Sequence, residues 1–383
     1  MAGATWSSSW RETGSWALTT LEDRLGSDWP AEVARKAPDG SAHELAWAVG
    51  HVVAYAQVLE WALRLELLAG STGFAKVRQA IRNDPRPAQL AHCRVQLEVA
   101  ALALRRGSRP ELEPGSARRR PADVAFSAGG RDVVVETRVI LISDDWQEQT
   151  LKTDQLFERI RAVETRYGVR CEGVVSEFVV GREADDLVTA VEERARLVAV
   201  GLEPLPLRHR AATLDIVPNT RTHPGGLSGP EIRGDSWARI APRIVEKVQA
   251  AAQSGANWLR LDALNGLWQF TRLATMSLRE KANALGEAVR SLPEGLDGVI
   301  LSSGALLTQG SFDDEDVEAG PGLAAVRRNL PFSRVRETVI ISNRNTPDSS
   351  ATWLRDLYAS EPGWLDWSLE RLGLPSTVEI LAR

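Results

Sequence analysis

The chain has 383 residues, is 43% hydrophobic and 25% charged, and carries a formal net charge of −5. That length implies two or three domains. The mild acidity excludes a protein that coats nucleic acid through an overall positive field, so any such contact must be local.

Two cysteines, Cys93 and Cys171, supply neither a disulfide framework nor a zinc site and fit a reducing cytoplasm. The opening MAGATWSSSW reads as lacking both the basic start and the apolar core of a secretory signal. The most apolar stretch, residues 45–68, is interrupted by His51, Gln57, Glu60, Arg64 and Glu66. It lacks the roughly 20 uninterrupted apolar residues that a membrane span needs and reads as a buried helix.

In chain order, residues 1–87 read as a helical N-terminal region. A short amphipathic stretch around Trp16, Leu21 and Leu25 is followed by a long helix over 42–69 and another over 74–81, closed by Asp84-Pro85-Arg86-Pro87. His43 and His51 sit eight residues apart on the long helix; lone helical histidines are usually packing or surface residues. The helix over 89–106 turns Leu90, Cys93, Leu97, Ala101 and Leu104 to one side at i, i+3, i+4 spacing, with Glu98 beside that stripe. An exposed ion pair with Arg94 and an acid aimed at a site are both open readings of Glu98.

The stretch RRRPADVAFSAGGRDVVVETRVI then reads as a hairpin turning at Gly129-Gly130. The turn pairs Ala128 with Arg131, Phe126 with Val133 and Val124 with Val135, an apolar face for a core. Strand alternation puts Ala125 opposite Val134 and Asp123 opposite Glu136 on the other face, with Arg138 two residues further on. The two carboxylates become cross-strand neighbours about 5 Å apart at Cβ, a repulsive arrangement unless something positive sits between them. A divalent metal would serve, and so would Arg138. Arg105, Arg106, Arg109, Arg118, Arg119, Arg120 and Arg131 form a basic cluster around the hairpin, and Arg118, Arg119, Arg120 and Arg131 are the candidates to receive a polyanion beside these acids.

Beyond the hairpin, a helix over 145–167 carries Lys152, a strand covers 173–180, a helix 185–200 and a strand 212–217. Residues 218–234, rich in Pro, Gly and Thr, read as a linker or mobile loop and contain His223. From Ser236, helix and strand alternate: a helix with Trp237, Ile240 and Ile244 inward, a strand ending at Asp262 before Asn265-Gly266, a helix near 278–292, and strands at 298–302 and 338–342. This α/β region either extends the first sheet or forms a second. The acidic run 313–316 lacks the ligand spacing of a calcium loop and reads as solvated. The chain closes on a helical segment with Trp353, Trp364 and Trp367, which covers the sheet or offers a partner surface. No Walker A loop, GxGxxG after a strand, GxSxG elbow or HExxH is present, which argues against nucleotide hydrolysis, dinucleotide-binding dehydrogenases, α/β-hydrolases and zincins.

Glu98 on a helix, Pro121-Ala122-Asp123 entering the second strand and Glu136-Thr137-Arg138 on the third resemble the PD-(D/E)xK, restriction-endonuclease-like, nuclease superfamily. The resemblance covers residues 88–180, with Arg138 in the position of the family's Lys. It implies an α/β fold with a mixed sheet flanked by helices at 88–217, a helical region before it and an α/β extension over 235–383. It also implies a metal-dependent nuclease on DNA or RNA in which Asp123 and Glu136 hold Mg²⁺ or Mn²⁺ and Glu98 and Arg138 assist. Since Arg cannot surrender a proton as Lys can, the alternative is a nuclease-like fold without chemistry that binds nucleic acid or a protein partner, as an assembly subunit or homo-oligomer.

Overall fold

The structure is a computed structural model that describes residues 7–36, 44–49, 54–114, 122–141, 144–201, 205–219, 226–230, 237–263, 268, 272–289, 292–308, 312–343 and 348–382. The chain divides into two compact units, Met1–Leu141 with Trp237–Arg383, and Ile142–Ser236.

The first unit opens with α1 (Ser8–Leu25), α2 (Trp29–Lys36), α3 (Glu44–Val49), α4 (Tyr55–Leu67), α5 (Phe74–Asn83) and α6 (Pro87–Arg105). Ser7 caps α1 by accepting the Trp10 N–H at 3.1 Å. Pro87 starts α6, where its missing N–H leaves nothing unpaired. α6 is buried on most sides, as Leu90, Val95, Leu97 and Leu102 show, which makes it the central helix of this unit. Three strands follow, β1 (Glu111–Leu112), β2 (Val124–Ala128) and β3 (Arg131–Val139).

The second unit holds α7 (Asp144–Tyr167), β4 (Val169–Val175), α8 (Arg182–Ala199), β5 (Leu205–His209), β6 (Ala212–Pro218) and β7 (Leu227–Ser228). The first unit resumes with α9 (Trp237–Ser254), β8 (Trp258–Asp262), α10 (Leu278–Ala288), β9 (Gly298–Ser302), β10 (Leu306–Leu307), β11 (Glu315–Gly320), β12 (Leu323–Leu330) and β13 (Arg334–Ser342). Three helices, α11 (Asp348–Ala359), α12 (Trp364–Arg371) and α13 (Thr377–Leu381), complete it.

The large sheet runs β1-β2-β3-β8-β9-β13-β12-β11, with β10 on β13. β8 lies parallel between β3 and β9, and the other pairings are antiparallel. Its two faces bury separate cores. Val133, Val135, Trp258, Ile300 and Ile340 pack with α1–α6 and the C-terminal helices. Leu259, Leu261, Val299, Leu301 and Val339 pack with Ile240, Ile244 and Val248 of α9 and Leu278 and Leu285 of α10. Gly298 is required where it stands: a Cβ there would lie 2.2 Å from the Trp258 ring. Trp258, fully buried on the neighbouring strand, fills that space instead.

The second unit is described by itself. A four-stranded sheet, β5-β6-β4-β7, buries Val169, Cys171, Leu214 and Ile216 against Leu156, Ile160, Leu187 and Val191 of its two helices.

Several sequence expectations change here. The strand near 173–180, β4 in the structure, pairs with β6 and β7, whereas the strand beside β3 is β8. The 88–217 segment is therefore divided between the units, and the C-terminal region extends the first sheet. The apolar stripes of the N-terminal helices share one core with α6 and the sheet. The acidic run ends in edge strand β11, where Glu315 and Asp316 pair with Arg327 and Arg328 across the ladder. The tryptophan-rich end covers the sheet: Trp364 is buried, and Trp353 packs on Phe126 with ring centroids 5.4 Å apart. His43, His51, His223, Asn265 and Gly266 lie outside the described residues, as do 220–225 and 231–234 of the expected linker.

Candidate functional site

The hairpin has the expected register. Val124 pairs with Val135, Phe126 with Val133 and Ala128 with Arg131. Gly129 and Gly130 both take positive φ, 58° and 78°, the backbone of a type I′ turn whose twist matches the strands.

Asp123 stands one residue before β2, where the chain bends. Its carboxylate therefore reaches over the backbone of β3 instead of lying flat against Glu136. Oδ2 accepts the Thr137 N–H at 2.6 Å and the Thr137 hydroxyl at 2.9 Å. Oδ1 lies 3.3 Å from His92 Nε2, and His92 Nδ1 lies 3.3 Å from Thr137 Oγ1. Burial works against charge on Asp123, but His92 and then the Thr137 donors outweigh it and hold the carboxyl below its usual range.

Glu136 and Arg138 point to the other face of β3, as alternation requires. Glu136 is 1% exposed, and its Oε1 pairs with Arg138 Nη2. Arg138 Nη1 donates to the Thr137 carbonyl at 3.0 Å and lies 3.8 Å from Asp123 Oδ2. One guanidinium thus stands between the two acids, the positive group their spacing demands.

His92 and Thr137 escape the sequence reading. Thr137 falls on the apolar side of an ideal strand, and only the bend at Asp123 brings it in. The signal for His92 is its spacing: it lies one helical turn before Gln96, whose Nε2 donates to the Asp123 carbonyl at 2.8 Å.

Glu98 joins a different group. Six residues beyond His92, it is about 9 Å further along α6 and turned about 240° around it. It is buried, accepts Arg336 Nη2 at 3.0 Å and Arg260 Nη2 at 3.1 Å, and lies 3.9 Å from Arg64. The expected Arg94 partner binds Asp262 at 3.5 Å instead. Burial alone would raise the Glu98 carboxyl, but Arg336, Arg260 and Arg64 hold it down to about 2. Arg336 also touches Glu361, which burial pushes up to about 7, with neighbouring Glu98 adding to the rise.

Arg131 is exposed at the turn end of β3. Five residues from Glu136 at about 3.3 Å each, it is about 17 Å from the acids along the strand and does not share their site. Arg118, Arg119 and Arg120 lie outside the described residues.

The two polar groups share one end of the sheet. Glu136 and Arg138, Asp262, and Ser302 occupy the carboxyl halves or ends of the parallel strands β3, β8 and β9. Ligands of open α/β sheets bind outside such ends. Among the described residues, no group of three or more His, Cys, Asp or Glu side chains is arranged to hold a metal ion. No described helix is long and apolar enough to cross a membrane.

No protein-family model, curated protein or solved structure matches the chain.

Proposed function

We propose that the chain is a nuclease of the PD-(D/E)xK kind, cleaving phosphodiester bonds of DNA or RNA with Mg²⁺ or Mn²⁺ held by Asp123 and Glu136. The observation that carries this reading is Arg138 set between two acids at the carboxyl end of the parallel strands. The order of elements supports it. With residues 142–236 set aside, α6, β1, β2, β3, α9 and β8 follow as helix, three strands, helix, strand, and β1-β2-β3-β8 are neighbours in the sheet. A cytoplasmic location suits the two buried free thiols, Cys93 and Cys171.

Mg²⁺ is usually held by one or two carboxylates, with water and substrate phosphate in the remaining positions. Asp123 and Glu136 would be that donor pair once Arg138 swings away from Glu136. When bound, the ion would supply the acidity that turns water into a nucleophile near neutral pH. Thr137 and His92 orient Asp123. Arg138, always charged, would turn from Glu136 to a phosphate oxygen, where its planar fork offers two donors. Glu98 takes no part in this chemistry, because its oxygens are committed to arginines.

The contact of Arg138 with Glu136 also favours a second reading, a nuclease-like fold closed by its own arginine that binds without cutting. Incubation of plasmid DNA and single-stranded RNA with and without Mg²⁺ or Mn²⁺ separates the two. Cleavage lost in Asp123→Asn and in Glu136→Gln, and kept or raised in Arg138→Lys, supports the nuclease. If neither wild type nor Arg138→Lys cleaves while binding weakens steeply with salt, the second reading holds.

A further inference from the structure

Arg138 stands where the two acids of the candidate nuclease site converge. Its Nη2 pairs with Glu136 Oε1, its Nη1 donates to the Thr137 carbonyl at 3.0 Å, and that same nitrogen lies 3.8 Å from Asp123 Oδ2. The planar fork of a guanidinium can hold these oxygens together, which the point charge of a lysine would not reproduce. The acids themselves are set deep: the Glu136 side chain is 1% exposed and that of Asp123 9%. Asp123 is further held by the Thr137 N–H and hydroxyl and by His92.

Arg138 has a way out. Its side chain is 19% exposed, so the guanidinium can turn outward without crossing the core. What the move costs depends on what receives it. In water alone the guanidinium exchanges a carboxylate and a carbonyl for solvent, whereas a phosphodiester offers it an anionic acceptor for two donors. Charge counting points the same way. Two carboxylates balance one divalent cation, so a guanidinium that stays beside them adds an uncompensated positive charge close to the ion. With one phosphodiester added, two carboxylates, one phosphate, one arginine and one divalent cation sum to zero.

We propose that Arg138 gates the metal centre: it holds the place between Asp123 and Glu136 until a nucleic-acid phosphate draws it away, so that divalent cation and phosphodiester bind cooperatively. The inference rests on the nuclease reading and adds to it how the filling of the site is controlled. Without substrate the arginine competes with the ion for the same oxygens, and metal affinity is low. With substrate the phosphate takes the arginine, both acids turn to the ion, and affinity rises. Linkage makes the effect reciprocal: the factor by which the strand strengthens metal binding is the factor by which the metal strengthens strand binding.

The test is Mn²⁺ titration of the full chain on ice, read from the electron paramagnetic resonance of the free ion and corrected for Mn²⁺ taken up by the strand alone. It is run without nucleic acid, with an oligothymidylate shown by electrophoresis to stay intact, and with the uncharged methylphosphonate form of that strand. Wild type should bind Mn²⁺ about tenfold more tightly with the charged strand and no more tightly with the uncharged one. Arg138→Gln, native by circular dichroism, should bind Mn²⁺ without any strand as tightly as wild type does with it, and adding Asp123→Asn should abolish that binding. The wild-type comparison needs no variant to fold. Wild-type Mn²⁺ affinity that the charged strand leaves unchanged, or folded Arg138→Gln no tighter than wild type, overturns the gate while the metal site of the nuclease reading stands. Mn²⁺ kept by the double variant marks an adventitious ion and overturns the gate as well. No Mn²⁺ bound by wild type or Arg138→Gln, with or without the strand, overturns both.

Discussion

Replacing Glu98 tests whether this acid is structural or chemical. Its carboxylate is 4% exposed and meets three arginines, two of them within 3.1 Å. Removing one partner of a buried pair leaves uncompensated charge and costs about 3–5 kcal/mol. Glu98→Gln should fall near the lower end, about 3 kcal/mol, because Glu361 would then ionise fully and take over Arg336. Urea unfolding followed by tryptophan fluorescence is the assay. All thirteen tryptophans except Trp146 belong to the first unit, so the signal isolates it. A shift in midpoint at unchanged slope is expected. A variant within about 0.5 kcal/mol of wild type that has lost cleavage would refute the reasoning, because surface-like tolerance with lost chemistry is what a catalytic Glu98 predicts.

Four further outcomes follow from the geometry. Glu361, raised to about 7, makes the folded state bind protons more readily than the unfolded one between its ordinary value of 4.5 and 7; thermal stability should therefore fall as pH rises through that window, and Glu361→Gln should flatten the slope. Glu60 and Glu98, held near 2 by their arginines, act in the opposite sense: the stability they contribute is present above about 4.5 and should be lost as pH falls toward 2, seen as acid unfolding by circular dichroism. Gly298→Ala should destabilise by roughly 3 kcal/mol in urea, since its Cβ would collide with Trp258 and lie 2.7 Å from the Ile341 carbonyl, whereas Gly129→Ala, with open space and only a positive φ, should cost about 1 kcal/mol. Burial pushes both thiols, Cys93 and Cys171, up to about 12, so neither should react with a disulfide reagent at pH 8 until urea unfolds the chain.

The hairpin was legible because everything that determines it is local. A Gly-Gly turn sets the register, and alternation then places Glu136 and Arg138 together. The bend at Asp123, and with it Thr137 and His92, was not legible, since an ideal strand has no bend. The fate of Glu98 depended on Arg260 and Arg336, 162 and 238 positions away. Nothing in a helical window around residue 98 points to either. The same distance hid the true neighbour of β3. Parallel pairing needs a crossover, and here the crossover contains the whole second unit as well as α9. The β11–β12 hairpin was missed because Glu315 and Asp316 read as part of a solvated acidic loop until they are seen paired with Arg327 and Arg328 across the ladder.

That long excursion has a consequence for synthesis. About 120 residues separate the end of β3 from the start of β8, and at roughly 5–20 residues per second the ribosome takes about 6–24 s to deliver them. Throughout that interval the nascent hairpin presents an open edge, the kind of surface that recruits stray strands. Residues 142–236 have an apolar core of their own to fold around in the meantime. The ionic pair on the waiting strand, Glu136 with Arg138, gives that edge a charged guard before it becomes the middle of a sheet.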